Sequence, residues 1–373
     1  MSPAPLGRPA RALRSEARKA PGRAPSGAAR SDAPRRASRI YEVARSAGVS
    51  IATVSRVANA SGSVRPRTAA RVHAAMLRLD YRPHALARGL AAHRSRTIGL
   101  LISDILHPYF ADIVRGAQAQ AELSQYAVLL GDASVHTGDK DVLVQRLLER
   151  RVDGLIVASD RTTAEYARQL RSEDVPVVCI NGSRAQFPRA VQIDNRAGAA
   201  LAIEHLVALG HRRIAHVAGP TGTATRDERL AGYRAALKPS GLRYDADLVA
   251  AGFGRLEESR EAARQLLGLG DPPTAIFAYN DRSAIGCYQA IRAAGLRVGV
   301  DVSIVGFDDI VMAEWVDPPL TTVRQPRIEM GRIAVDLLLA ELNGTETADH
   351  VVVQPQLVMR GSTGPAPDRP ERR

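Results

Sequence analysis

Cysteine is almost absent from this 373-residue chain, with Cys179 and Cys287 the only two. A disulfide framework and a four-thiolate zinc site are therefore excluded, and a reducing cytoplasm is the compartment that fits. Long apolar runs are absent too. No stretch approaches the roughly 18 consecutive apolar residues of a membrane span, so no integral membrane protein is expected. Catalytic signatures are equally missing: the sequence has no CxxC, HExxH, Walker loop or nucleophile elbow. The lone loop Gly219-Pro220-Thr221-Gly222 is too short to cradle a phosphate. No enzyme, no metal ion and no cofactor is expected. At 45% hydrophobic and 24% charged residues the composition is ordinary for a globular protein, which rules out a wholly disordered chain. The length suits two or three domains at roughly 150 residues each.

Acidic charge is scarce in the first quarter. Residues 1–38 carry nine basic and two acidic side chains, net +7, and residues 39–96 carry eleven and two, net +9. The whole chain is +12, so the remaining 277 residues net −4. A basic module on a mildly acidic body suggests a nucleic-acid-binding head joined to a part with a different task. Residues 1–38 are mostly Ala, Arg, Pro, Ser and Gly, cannot bury a core, and are expected to form a disordered basic tail. Arg and Pro interrupt every candidate apolar stretch in it, so no secretory signal is expected. The tail is either a solvated segment or an arm adding nonspecific phosphate contacts.

Residues 39–80 read as three short helices. Tyr41–Ala47 places Val43, Ala44 and Ala47 on one side, and Gly48 breaks it as a tight interhelical turn requires. Ser50 can cap a second helix, Ser50–Ala58, with Val54 and Val57 spaced for the core and Ile51, Ala52, Ser55, Arg56 and Asn59 on the other face. Pro66 opens a third helix with Val72, Met76 and Leu79 as its apolar stripe. This is helix-turn-helix geometry, in which the second helix enters a major groove.

The ordered series Ile40-Tyr41-Glu42-Val43-Ala44, Ala47-Gly48-Val49-Ser50, Ala52-Thr53-Val54-Ser55-Arg56-Val57 and Asn59 resembles the head of the LacI/GalR family of bacterial transcription regulators. Tyr81-Arg82-Pro83-His84-Ala85-Leu86-Ala87-Arg88-Gly89-Leu90 resembles that family's hinge helix, and the resemblance continues to about residue 360. It implies a DNA-binding head over 39–83, a hinge helix and linker over 84–96, and a two-lobed ligand-binding and dimerisation domain over 97–360. A disordered tail, 361–373, would follow. In such a head Ile51, Ala52 and Arg56 face base edges: Arg56 can pair with guanine, whereas Ile51 and Ala52 offer apolar contacts, as to thymine methyls. Ser50, Thr53, Ser55, Asn59 and Thr68 would serve phosphates, and Tyr41 joins this DNA-facing set. For Ser50 and Thr53, helix capping and packing are equally open. Leu90 would wedge into the central base step of the minor groove or pack against its dimer partner, with His84, Ala87 and Arg88 beside it in the hinge.

From Thr97 the pattern alternates strands and helices. Thr97–Ser103, Tyr126–Asp132, Gly154–Ala158 and Val175–Ile180 form one strand series, with a helix from about Pro108 to Leu123. Ile214–Ala218, a short strand near Val249, Thr274–Ala278 and Ser303–Phe307 form a second. Two such series imply two lobes of α/β class, with parallel sheets covered by helices. This agrees with the periplasmic-binding-protein-like (type I) body that the resemblance implies, whose chain crosses between lobes three times, here near Ile193, Val323 and Gln354. Ligands of open parallel sheets bind beyond the strands' carboxyl ends, in the cleft between lobes. That rule selects Ser103, Asp104, His107, Tyr109, Phe110, Asn181, Asn280, Asp308 and Gln325, and the resemblance adds Arg229. These side chains supply the directed donors and acceptors that sugar hydroxyls require, and Tyr109 or Phe110 could stack on a sugar face, the other being core. Asp281 is expected to cap the following helix, and Asp309 to stabilise its turn.

The leading reading is a homodimeric regulator, by the family's commonest role a repressor, that binds a pseudo-palindromic double-stranded operator in the bacterial nucleoid. Its operator affinity would be controlled by a small ligand, foremost a sugar. The alternatives are a purine or protein co-regulator on the same regulator, or a sugar-binding receptor with no DNA role. Residues 361–373 lack apolar heptads, so no coiled coil is expected to pair dimers into tetramers.

Overall fold

The computed structural model describes residues 40–58, 63–81, 94–134, 140–159, 168, 170, 172, 175–182 and 186–368. The chain divides into two compact units, a head up to Pro83 and a body from His84.

The head holds α1 (Ile40–Ala47), α2 (Ile51–Ala58) and α3 (Pro66–Arg78). Their apolar faces meet in one small core of Val43, Ala44, Ala47, Val54, Val72, Ala75 and Met76, with Val57 and Leu79 packed at its edge. Gly48, at φ +64, turns the chain from α1 into α2 in a conformation that a side chain rarely adopts. Arg71 of α3 clasps that turn, donating to the carbonyls of Ala47 and Gly48. Ser50 caps α2: its Oγ accepts from the Thr53 amide at 3.2 Å and contacts the Thr53 hydroxyl at 2.9 Å.

In the body, the first lobe is built on β1 (Thr97–Ile102), β2 (Ala127–Asp132), β3 (Gly154–Ala158), β4 (Val177–Ile180), β5 (Arg189–Ile193) and β11 (His350–Val353). The order is β11-β5-β4-β3-β1-β2, parallel throughout. Helices α4 (Pro108–Leu123), α5 (Lys140–Glu149) and α10 (Arg327–Asn343) belong to it. The second lobe has β6 (Ile214–Ala218), β7 (Val249–Ala251), β8 (Ala275–Ala278), β9 (Ser303–Asp308), β10 (Thr321–Arg324) and β12 (Gln356–Val358), in the order β12-β10-β9-β8-β6-β7. Only its edge strand β12 runs antiparallel. Helices α6 (Asn195–Ala208), α7 (Ala224–Leu237), α8 (Leu256–Leu267) and α9 (Asp281–Ala293) cover it. Strands β3, β4, β6, β8 and β9 are buried at every residue, as apolar strands covered on both faces must be.

The chain leaves the first lobe between β5 and α6, returns between β10 and α10, and crosses again between β11 and β12. These are the three crossings expected near Ile193, Val323 and Gln354. Strands β5, β10, β11 and β12 were not named in either strand series. Among the described residues, no helix is long and apolar enough to cross a membrane.

The expected disordered tail from Gly361 needs correction. Residues 361–368 are laid onto the second lobe. Ser362 is fully buried; its hydroxyl donates to the Ile304 carbonyl at 2.6 Å and accepts from the Thr321 amide at 2.8 Å. The carbonyl of Gly364 lies 3.1 Å from Nε2 of the buried His211, and the Ala366 amide donates to the Leu209 carbonyl at 2.8 Å. Hydrogen bonds of its backbone and of the Ser362 hydroxyl hold a segment whose composition offers nothing for a core.

Helices α4 and α10 approach closely through glycine. A Cβ on Gly116 would stand 2.0 Å from the Ile328 carbonyl oxygen, and one on Gly331 2.3 Å from that of Ile113. Gly331→Ala should therefore lower stability by about 1–3 kcal/mol through forced separation of the helices. Gly270→Ala, which meets nothing within 4 Å, should stay within about 0.5 kcal/mol of the parent. Thermal unfolding followed by circular dichroism checks the contrast, and equal effects would refute the close-packing account.

Candidate functional site

The carboxyl ends of both sheets face one cavity of about 640 Å³. All ten residues selected from the sequence line it: Ser103, Asp104, His107, Tyr109, Phe110, Asn181, Arg229, Asn280, Asp308 and Gln325. Each arrives there for a local reason. Asp308 ends β9 at φ 115 and is followed by Asp309 at φ 56, so two consecutive non-glycine residues bend the chain left-handedly at the cleft. Asn181 does the same after β4, at φ 62. His107 caps α4, its Nδ1 accepting from the Tyr109 amide at 3.3 Å.

Arg229 is the most enclosed cation of the site, with 2% exposure. Its Nε donates to Asn195 Oδ1 at 2.9 Å, and a terminal nitrogen donates to the Tyr279 carbonyl. Its guanidinium lies 3.6 Å from the centre of the Phe307 ring and 4.7 Å from that of Tyr279. The second terminal nitrogen stands 3.9 Å from Asp308 Oδ1, the same oxygen that accepts from Gln325 Nε2 at 2.7 Å. Asn181 Nδ2 donates to the Tyr109 hydroxyl at 2.6 Å, and Ser103 donates to Ser159 at 2.9 Å. Among the described residues, polar contacts that span the cleft include Tyr109 to Gln325, His107 to Asn280 and Asp104 to Arg282, each at 3.5 Å. These cleft-spanning contacts are longer than the bonds Asn181 to Tyr109, Ser103 to Ser159 and Arg229 to Asn195.

Burial, reinforced by the negative charge of Asp308, raises the Tyr109 hydroxyl above the ordinary phenol range, so it stays protonated and can donate. Both Tyr109 and Phe110 are about 7% exposed; each belongs to the first lobe's core and also lines the cavity, rather than one being core alone.

The expected cap of α9 is corrected. Asn280, in extended backbone, is the cap, accepting from the Ser283 amide at 2.8 Å. Asp281 is the first helical residue, wholly buried, and accepts from the Thr322 hydroxyl at 2.5 Å and the Ile310 amide at 2.8 Å. It thereby ties the helix start to β10 and to the turn after Asp309. Asp309 does more than stabilise its own turn: it pairs with Arg324 at 2.6 Å and Arg360 at 2.8 Å.

Further lining residues were not anticipated. Ser134, Ser159 and Phe253 follow β2, β3 and β7, and Tyr279 follows β8. Applying the strand-end rule to every strand would have found them. Thr225, at the start of α7, had no comparable signal.

In the head, Ile51 at 50% exposure, Ala52 and Arg56 all face outward on α2, while Thr53 and Ser55 are half-buried. Tyr41 is exposed, Ser50 is exposed and capping, and Thr68 is half-buried in the first turn of α3. Asn59, His84, Ala87, Arg88, Leu90 and the tail 1–38 lie outside the described residues.

Residues 39–84 match the family described as "Bacterial regulatory proteins, lacI family", and residues 203–363 match "Periplasmic binding protein-like domain". The chain is 34% identical over 334 residues to the HTH-type transcriptional repressor CytR of Escherichia coli (strain K12), which covers 89% of this chain and 98% of the relative. It is 35% identical over 325 residues to the ribose operon repressor of the same strain, covering 86% and 98%. A crystal structure of the lac repressor dimer bound to operator and the anti-inducer ONPF superposes with a TM-score of 0.79 at 32% identity, over 88% of this chain and 100% of that one.

Burial, with Asp308 nearby, raises the Asp281 carboxyl well above the usual carboxylate range. A carboxyl that holds its proton more tightly when folded contributes stability below the ordinary range and loses it as pH rises through the folded value. Asp281→Asn, which keeps a neutral group there, should gain thermal stability relative to the parent as pH rises from the ordinary carboxylate range towards neutrality. Parallel melting curves for the two proteins across that interval would remove the buried-carboxyl account.

Proposed function

The chain belongs to the LacI family of bacterial transcription regulators, and on that premise we propose that it is a homodimeric repressor released from or held on its operator by a sugar-type ligand bound between its lobes. The observation that carries this reading is the convergence of ten sequence-selected polar and aromatic side chains on one cavity at the strand ends of two crossing lobes. Family membership makes the chain a sequence-specific DNA-binding regulator under ligand control.

A pair of heads requires a pseudo-palindromic operator, since two-fold protein symmetry asks for two-fold site symmetry. Arg56 reads a guanine edge while Ile51 and Ala52 make apolar contacts, and Ser50, Thr53, Ser55, Asn59, Thr68 and Tyr41 fix the register. Leu90 wedges the central minor-groove step, flanked by His84, Ala87 and Arg88. In the cleft, Asp308 and Gln325 accept from and donate to ring hydroxyls, and Arg229 and Asn280 add donors. A ligand that favours one angle between the lobes shifts operator affinity by its differential binding energy. The chain acts in the cytoplasm on nucleoid DNA.

A nucleoside is the second reading, favoured by the aromatic rings of Tyr109, Phe110, Phe253 and Tyr279 around the same cavity, which suit a planar base joined to a sugar.

Fluorescence anisotropy with labelled DNA from upstream of this protein's own gene tests the reading at fixed near-physiological salt. The titration includes competitor DNA and a panel of pentoses, hexoses, sugar phosphates, nucleosides and purines. Selective binding shifted by a pentose or hexose supports the sugar ligand, and a shift confined to nucleosides selects the second reading. Sequence-blind binding would refute the regulator as described. Arg56→Ala should weaken selective binding by about 1–3 kcal/mol. Asp308→Ala should abolish the shift caused by the active compound, and a variant that still responds normally removes Asp308 from the site. Equal losses by Leu90→Ala on operator and on random DNA would refute the wedge.

A further inference from the structure

Arg327 opens α10 directly after the chain crosses back from β10. It is 9% exposed, too enclosed for a guanidinium to be held by water alone. Its Nε and one terminal nitrogen donate to a single carboxylate oxygen of Asp112 on α4, at 3.1 and 2.7 Å. Because α4 and α10 pack together in the first lobe, this pair clamps the arginine to that lobe. The same terminal nitrogen also donates to the carbonyl of Asp309 in the second lobe, at 2.9 Å. The cleft-spanning contacts at 3.5 Å are all longer than this one at the crossing.

Asp309 is itself immobilised. Its carboxylate is paired with Arg324 and Arg360, and its backbone is left-handed at φ 56, following Asp308 at φ 115. Two consecutive non-glycine residues in that region persist only where the surroundings over-determine them. A shift of the Asp308 backbone at the cleft therefore meets no soft loop before Asp309, whose carbonyl is bonded to Arg327. Among the described residues, the other terminal nitrogen of Arg327 is buried without a hydrogen-bond partner. An unused buried donor beside a crossing is what a second lobe angle, with a second set of acceptors, would leave behind.

We propose that Arg327 is the positioning residue that sets the angle between the lobes and ties that angle to Asp308, by holding Asp112 of the first lobe and the Asp309 carbonyl of the second in one guanidinium. The inference rests on the cleft being the ligand site, but its test needs no ligand.

Spin labels at Leu123→Cys and Val300→Cys, both exposed and one in each lobe, report the lobe separation in the full chain by double electron–electron resonance; native Cys179 and Cys287 are buried. With the labelled chain diluted into excess unlabelled chain, so that each dimer carries labels on one protomer, the parent should give one narrow distance distribution. Arg327→Gln should broaden it and move its maximum. Arg327→Lys, which keeps the charge and a donor for both partners, should restore the parent distribution. Asp308→Asn should shift the maximum in the parent and produce no further shift in Arg327→Gln. If the glutamine variant fails to show a cooperative melt, Asp112→Asn takes its place, with the same expected broadening. An unchanged distribution in Arg327→Gln, an equal shift by Asp308→Asn in both backgrounds, or no recovery by lysine would overturn the proposal. A failure of the cleft reading itself would show instead in the anisotropy titration, as operator binding indifferent to every compound.

Discussion

A guanidinium on α7 and a carboxylate at the end of β9, both buried, determine what the cleft can be. Arg229 and Asp308 have side chains only 3% and 6% exposed, yet they stand 3.9 Å apart, beyond hydrogen-bond reach. Neither charge could stay in so dry a place on Coulomb attraction alone, because desolvation offsets much of it. Each is instead satisfied by neutral partners: Asn195, the Tyr279 carbonyl and the Phe307 face for the arginine, Gln325 for the aspartate. Removing either charge would leave the other uncompensated, a loss on the order of 3–5 kcal/mol. Well-packed apolar residues would stabilise such a position at least as well. A polar network at this depth is therefore weakly explained by stability and well explained by a ligand whose hydroxyls need fixed donors and acceptors.

Much of this was legible in the sequence, and for one physical reason. Parallel strands buried on both faces are written as short apolar runs, so their carboxyl ends can be read to within a residue or two. In a two-lobed body those ends are where the cavity must lie. That is why Asp308, Asn280 and Asn181 could be selected from a linear string. The unread parts are those whose structure is not encoded in side-chain pattern. Strand β12 has three residues, Gln356–Val358, too few to show any period. The 361–368 segment looks like a linker by composition, but Ser362 and Gly364 attach it through hydrogen bonds to partners far away in sequence. Asn280 and Asp281 are both good capping residues by type. Only the extended backbone at Asn280 decides between them, and it leaves Asp281 to bridge β10 and the turn.

The head follows a different economy. Among the described residues its core holds seven side chains, and small cores leave little margin of stability. The two residues that make its turn, Gly48 and the clasping Arg71, consequently carry much of the geometry that aims α2 outward. Because core and turn are satisfied from within, Ile51, Ala52 and Arg56 are left exposed with no structural task of their own. Exposed residues of a stable head are the ones available to read DNA. Ser50 shows the opposite case: its hydroxyl already caps α2, so a phosphate contact from it would have to be shared with that role.

The lengths of the hydrogen bonds suggest how such a body responds to a ligand. Within a lobe several cleft side chains are joined by ordinary bonds, as in Asn181 to Tyr109 at 2.6 Å and Arg229 to Asn195 at 2.9 Å. Across the cleft the contacts lie at 3.5 Å, where a hydrogen bond retains little of its strength. The polar groups facing one another are thus held in direction by partners within their own lobes and only weakly joined to each other. In the proposed mechanism a ligand hydroxyl inserted between Tyr109 and Gln325 would replace one long contact with two ordinary bonds, and only at a lobe angle that brings both within reach. That dependence on angle is the differential affinity that linkage requires, since a ligand bound equally well at every angle would shift nothing. Rigid walls with weak contacts between them are therefore the form in which binding energy can be converted into a change of lobe angle.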